Sequence, residues 1–189
     1  MEKYCLEIAG LKRELPFVKI NDELAYASFV VISDKQLIET AAPLLAEKIR
    51  DCDIIVTAEA KGIALAYEVC RQLGLDRFVV ARKSVKSYMK DPISVSVRSI
   101  TTFTEQKLYL DGNDIPYLND RKVCLLDDVV STGESLKALE ELVSKAGGTV
   151  IAQAAILAEG EAADRDDLIF LQKLPLFRIN EEGGYEEIA

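Results

Sequence analysis

The chain has 189 residues, 49% hydrophobic and 29% charged, enough apolar material for one compact core, and a single domain over 1–189 is expected. Its formal net charge of -9 excludes a surface built to neutralise nucleic-acid phosphates, and no run approaches the ~18 apolar residues of a membrane span. The complete lack of histidine removes histidine general bases, Ser-His and Cys-His nucleophile systems and most transition-metal sites.

The amino end carries Glu2 and Glu7 where a secretory leader would place basic residues, so a cytoplasmic protein is expected. Ser33 is expected to cap a helix, with Gln36 three residues on and Leu37, Ile38, Ala41, Leu44, Leu45 and Ile49 at helical spacing; Pro43 should kink it. The run Ile54-Ile55-Val56 predicts a buried strand that ends in Thr57-Ala58-Glu59-Ala60-Lys61-Gly62. A helix from about Gly62 to Leu73 follows, stopped by Gly74, and Phe78 to Ala81 is the next strand. Cys5, Cys52, Cys70 and Cys124 form no C-x-x-C pair and are expected to be reduced, mostly buried thiols.

Between Ser84 and Asp111 the pattern changes. Ile93, Val95 and Val97 alternate with polar residues, Thr101 to Thr104 are polar or β-prone, and Leu108 and Leu110 resume the alternation. This predicts two antiparallel strands or a long flap, a candidate lid on an α/β domain. A second strand, loop, helix, strand unit follows: Val123 to Leu126, a polar loop, a helix carrying Leu136, Leu139, Leu142, Val143 and Ala146, then Gly147-Gly148 and a strand from Val150 to Leu157. Such alternation predicts a parallel sheet with helices on both faces and a ligand site at the carboxyl ends of its strands.

The segment Val123-Cys124-Leu125-Leu126-Asp127-Asp128-Val129-Val130-Ser131-Thr132-Gly133-Glu134-Ser135 delivers two carboxylates at the end of an apolar strand and then opens a helix. A helix amino terminus has unpaired N–H groups and partial positive charge, so it can hold a phosphate without a lysine; Ser131, Thr132 and Ser135 add hydroxyls. Two adjacent acids are costly to bury and suit the vicinal hydroxyls of a ribose. An isolated copy of the motif could equally be an acidic helix entrance in which Asp128 or Ser131 merely caps.

Residues 123–135 resemble the signature of type I phosphoribosyltransferases that binds phosphoribosyl pyrophosphate (PRPP), and similarity to the adenine and xanthine enzymes runs from about Leu15 to Leu157. The resemblance implies an α/β type I phosphoribosyltransferase fold: a mostly parallel central sheet flanked by helices, with a β-rich flexible flap at about 84–106. It implies that Asp127 and Asp128, the expected catalytic pair, hold the ribose hydroxyls. Ser131, Thr132, Gly133, Glu134 and Ser135 would wrap the 5'-phosphate. Glu59-Ala60-Lys61-Gly62 resembles the Glu-Ala-Arg-Gly pyrophosphate loop, with Lys61 for arginine, and Arg82-Lys83 resembles the pair that contacts pyrophosphate at the flap edge.

Phe17, Val18 and Val129 are candidate base-pocket neighbours, with core packing the alternative for each. Mg2+ carried on PRPP is the implied cofactor. The implied partners are PRPP and a purine base, with a homodimer and neither nucleic acid nor membrane. Adenine is the favoured base, with xanthine or a non-catalytic PRPP sensor as alternatives. A phosphotransferase using Asp127 is a rival of another kind. The pattern also departs from the family. Ser131 stands where hypoxanthine-guanine enzymes have an aspartate, Thr101 lies near the flap glutamate of adenine enzymes with Glu105 a few residues on, and Ala25 replaces a base-contacting asparagine.

Overall fold

The computed structural model describes residues 2–97 and 106–188. Three antiparallel strands come first: β1 (Lys3–Ile8), β2 (Leu11–Lys19) and β3 (Leu24–Ala27). Helix α1 (Lys35–Lys48) is capped by Asp34 and not by Ser33. The Asp34 carboxylate accepts the Leu37 N–H at 3.0 Å and also receives the Arg13 guanidinium from β2. A carboxylate that takes both bonds outcompetes the hydroxyl one residue earlier. Pro43 lies inside α1, where burial of Leu37, Ile38, Ala41, Ala42, Leu45 and Ala46 offsets the backbone bond the ring removes.

The first βαβ unit is β4 (Ile54–Ala58), α2 (Ile63–Leu73) and β5 (Phe78–Ala81), and Gly74 ends α2 in the left-handed region at φ 68°. The excursion after β5 is an antiparallel hairpin of β6 (Ile93–Val97) and β7 (Gln106–Leu110), as its alternation predicts. Residues 98–105, with Thr101 and Glu105, fall outside the described residues. A 3-10 turn and the short α3 (Ile115–Leu118) lead into β8 (Lys122–Val130), α4 (Glu134–Lys145) and β9 (Thr149–Glu159). The chain finishes with a second 3-10 turn (Gly160–Asp164), then β10 (Leu168–Leu174), β11 (Leu176–Ile179) and β12 (Tyr185–Ile188).

Two five-stranded sheets result. One is parallel throughout, in the order β10-β9-β8-β4-β5, and its middle strand has Val123 to Leu126 fully buried, because both faces are covered. On one face α1 and α2 share a core with the second sheet, which is antiparallel in the order β1-β2-β3-β11-β12; on the other, α4 and the hairpin close a separate core. The mostly parallel sheet with flanking helices is therefore present. The antiparallel sheet, which joins the two ends of the chain, was not foreseen, and neither were β10 to β12 after Glu159. Cys52, Cys70 and Cys124 are buried, Cys5 is exposed, and all four are free thiols. Among the described residues no helix is long and apolar enough to cross a membrane.

Candidate active site

The strand β8 is longer than the apolar run Val123–Leu126 and carries Asp127 and Asp128 inside it. Parallel pairing sets Ala58 opposite Ala81, Val56 opposite Leu125 and Asp127 opposite Ala155, so the carboxyl ends of β5 and β4 come level with the two aspartates. Glu59 to Gly62, Lys83 and Asp127-Asp128 thus meet at one sheet edge. They border a cleft of about 730 Å³, lined by Glu59, Ala60, Lys61, Lys83, Asp127, Asp128 and Ser135, with Lys107 and Tyr109 of the hairpin also on its wall. Gly62 caps α2 at a point where an added Cβ would collide with Thr57 Oγ1 and lie 3.6 Å from Asp127 Oδ1. Only glycine lets the helix start come this close to β8.

The aspartates are unusually placed for their charge. Asp128 is 4% exposed, and its Oδ2 and the fully buried Thr57 Oγ1 lack hydrogen-bond partners among the described residues. Asp127 Oδ1 accepts the Asp128 N–H at 2.8 Å. Burial raises both carboxyls above the ordinary aspartate range; the charge of Asp128 raises Asp127 further, while the Lys61 ammonium pulls both back. Unsatisfied buried acceptors oppose folding, so their retention here marks a surface that can take hydrogen-bond donors from a ligand.

Glu59 faces the cations. Its Oε1 accepts the Lys83 N–H at 2.8 Å and lies 3.5 Å from Lys86 Nζ, and its Oε2 receives Arg82 Nη1 at 3.1 Å. The Lys83 N–H, then Arg82 and Lys86, hold this carboxyl below its ordinary range against burial. Arg82 is fixed in turn by two 2.8 Å backbone bonds to Tyr109 of the hairpin. The carboxylate therefore gathers positive charge beside the Ala60-Lys61-Gly62 turn, a grouping that suits a polyanion.

At the other rim, Ser131 and Thr132 leave β8 and Gly133 caps α4 with φ 78°, a left-handed conformation. The glycine cap has no side-chain acceptor, which leaves first-turn N–H groups open to an anion. A Cβ at Gly133 would lie 2.6 Å from Arg165 Nη1, and that guanidinium is held by Asp167 at 2.8 and 2.9 Å and by Gln153 at 2.9 Å. Phe17 and Val18 do not line the cleft. Phe17 stacks on Tyr185 (3.9 Å, 11°) and makes a T-shaped contact with Phe177, so it belongs to the aromatic cluster of the antiparallel sheet; Val18 is 37% exposed on the same strand. Val129 packs on the core that includes α1 and α2.

A family model described as "Phosphoribosyl transferase domain" matches residues 32–181. The chain belongs to the phosphoribosyl transferase family. It is 32% identical over 144 residues to an adenine phosphoribosyltransferase of Thermosipho africanus, with 73% of this chain and 79% of the relative covered. It is 34% identical over 121 residues to a xanthine phosphoribosyltransferase of Pseudomonas paraeruginosa, with 62% of each covered. A hypoxanthine/guanine phosphoribosyltransferase of Methanothermus fervidus is 34% identical over 113 residues, 60% of this chain and 56% of that one. The last two relatives are thus matched over about three fifths of their length. The adenine phosphoribosyltransferase structure from Thermoanaerobacter pseudethanolicus has a TM-score of 0.69 at 20% identity and covers 84% of this chain and 95% of its own; the fold is that of type I phosphoribosyltransferases.

Several residues beside this candidate site escaped the sequence reading. Thr57 and Glu159 carry the same local signal as Asp127, a polar side chain at the end of an apolar strand, and Glu159 is the one charged residue of β9. Arg165 and Tyr109 have no local signature, since only tertiary packing brings them to Gly133 and Arg82. Among the described residues no three His, Cys, Asp or Glu gather as a metal cage. The paired aspartates nevertheless offer the oxygen donors a hard cation prefers, which fits Mg2+ arriving on substrate phosphates with its own waters.

Proposed function

We propose that the chain transfers the 5-phosphoribosyl group of PRPP to a purine base, adenine foremost, forming the nucleoside monophosphate and pyrophosphate. A base nitrogen bonds to the anomeric carbon as the carbon–oxygen bond to pyrophosphate breaks, and the N–H proton of the base passes to solvent or to the departing pyrophosphate. Asp127 and Asp128 accept hydrogen bonds from the ribose hydroxyls. The turn from Ser131 to Ser135, opening α4, holds the 5'-phosphate on backbone N–H groups and hydroxyls. The Ala60-Lys61-Gly62 turn, with Arg82 and Lys83 positioned by Glu59, stabilises the negative charge that grows on the leaving pyrophosphate. Mg2+ bound to PRPP would neutralise part of that charge. The hairpin of β6 and β7 borders the cleft and serves to exclude water.

One observation supports this reading above the rest: the buried, incompletely partnered aspartate pair lies between a cation-rich turn on one side and an uncapped helix start on the other. That is the order of groups in PRPP itself, with pyrophosphate, diol and 5'-phosphate. The test is nucleotide formation from PRPP with adenine, guanine, hypoxanthine and xanthine in parallel. Nucleotide product with pyrophosphate released in equal amount is expected, largest with adenine. Tight PRPP binding with no product from any base would instead identify a sensor. Transfer of phosphate to Asp127 would identify a phosphotransferase.

A further inference from the structure

Lys83 and Lys86 sit on a stretch between β5 and β6 that is neither helix nor strand, so something other than regular structure has to set where their ammonium groups lie. Both ends of that stretch are tied to the end of β7. At its start, Arg82 exchanges two 2.8 Å backbone bonds with Tyr109. At its far end, the Lys90 N–H donates to Asp111 Oδ1 at 3.1 Å, and the Lys90 carbonyl accepts the Gly112 N–H at 2.9 Å. Asp111 is only 9% exposed, and the same Oδ1 also accepts the Asn113 N–H at 3.0 Å. Gly112 is required at this contact: an added Cβ would come within 2.5 Å of the Lys90 carbonyl oxygen and 2.9 Å of the Asp91 one. Asp91 is held at φ 43°, a left-handed conformation that a residue with a side chain adopts only when its neighbours impose it. The hairpin itself does not need this clamp. β6 and β7 pair from Ile93 opposite Leu110 to Val97 opposite Gln106, and Val95, Leu108 and Leu110 are buried in the core under α4. What depends on Asp111 is the loop from Lys83 to Lys90.

We propose that Asp111 is a positioning residue for the pyrophosphate half of the site: its carboxylate closes the loop that carries Lys83 and Lys86 and so holds both cations beside Glu59. The inference rests on the transfer reaction proposed above and deepens it. Asp111 acts through the loop backbone, since the residues that line the cleft include Lys83 and Tyr109 but not Asp111. The Lys83 N–H meets Glu59 Oε1 at 2.8 Å, and Lys86 Nζ lies 3.5 Å from the same oxygen. Lysine side chains lose much rotational freedom when fixed, and a loop tied at one end only would have to be ordered by the ligand, at a cost in affinity. A loop tied at both ends has met that cost on folding. The ribose and 5'-phosphate contacts come from β8 and the start of α4, elements outside the clamp, so the effect is confined to pyrophosphate.

The test compares the parent with Asp111→Ala, Asp111→Asn and Gly112→Ala by titration calorimetry, with pyrophosphate and with ribose 5-phosphate, each in the presence of Mg2+, so that no turnover is needed. Asp111→Ala should weaken pyrophosphate about tenfold, the cost of ordering two long side chains on binding, and leave ribose 5-phosphate within about twofold. Asp111→Asn keeps the oxygen acceptor and should stay within about threefold of the parent for both ligands. Gly112→Ala presses on the Lys90 and Asp91 carbonyls with Asp111 intact and should match Asp111→Ala; it decides the matter if loss of the carboxylate prevents folding. Equal losses for the two ligands, or no loss for pyrophosphate, would show that Asp111 only supports the fold and would overturn the proposal. A parent that binds both ligands yet forms no nucleotide with any base removes the transfer reaction, and the calorimetric comparison still decides for or against the clamp. A parent that binds neither ligand removes both.

Discussion

The carboxyl edge of the parallel sheet and the aromatic centre of the antiparallel sheet are both built on packed strands, and they treat their polar atoms in opposite ways. In the antiparallel sheet Tyr4, Phe17, Phe177 and Tyr185 pack ring on ring; burial, then the nearby Glu187 carboxylate, pushes the Tyr4 pKa up to about 12. At the parallel edge Asp128 Oδ2 and Thr57 Oγ1 are buried without partners among the described residues, and Gly133 is held at a positive φ. One region lowers the free energy of the folded chain, while the other raises it and keeps binding capacity in return. Stability and activity should accordingly respond to mutation in different places.

The sharpest way to break that contrast is Asp127→Asn combined with Asp128→Asn. Turnover with PRPP should fall by at least ~10²-fold in steady-state kinetics, since the sugar loses its anchor. The ligand-free variant should nevertheless unfold at a higher temperature than the parent at pH 8. Both carboxyls have folded-state pKa values above their unfolded ones, so their ionisation opposes folding. That deficit is complete above the raised values and disappears below the ordinary aspartate pKa of about 4, where the two melting curves should coincide. Equal melting temperatures at pH 8 would sink the claim of a costly pair.

Phe177→Ala examines the opposite region. Phe177 is 1% exposed, and losing its ring should cost about 3–5 kcal/mol in urea unfolding. In the fraction that remains folded, kcat/KM should not change. A lowered kcat/KM would mean that the antiparallel sheet shapes the site more directly than its packing implies.

Gly133→Ala is expected to do a little of both. At φ 78° a side chain costs about 1–2 kcal/mol, and its Cβ would also press on Arg165 Nη1. The reading of this residue as part of the phosphate turn requires KM for PRPP to rise and KM for the base to stay put.

The smallest effect is expected away from both regions. Asp34→Ala removes a helix cap worth about 1 kcal/mol. The Arg13 hydrogen bond is the main reason that the Asp34 carboxyl lies below its ordinary range, so its contribution is present above that range and is lost as pH falls through the lowered folded value. Thermal melts of the two proteins should differ at pH 7 and converge at low pH, with activity alike.

Much of the fold was legible because its signals are local. Apolar runs ending in glycine or acid marked the two βαβ units, the first nearly to the residue and the second with β8 several residues too short, and the change to two-residue periodicity marked the hairpin of β6 and β7. The helix start at Asp34 was missed, because its choice over Ser33 depends on Arg13 reaching across from another element. The candidate site divides in the same way. Asp127, Asp128, Lys61 and the turn at Gly133 could be picked out along the chain, and the structure brings them to one edge.

The sequence by itself determined the two βαβ units and the hairpin, and it marked the turns suited to an anion, since side-chain periodicity and helix-end chemistry act between near neighbours. Only the tertiary structure decided that the two ends of the chain form one antiparallel sheet, with Ala25 opposite Phe177, and that Glu159 stands beside Ser131. Pairing across such separations leaves no trace in any short window, because it is fixed by the burial of whole faces rather than by adjoining residues.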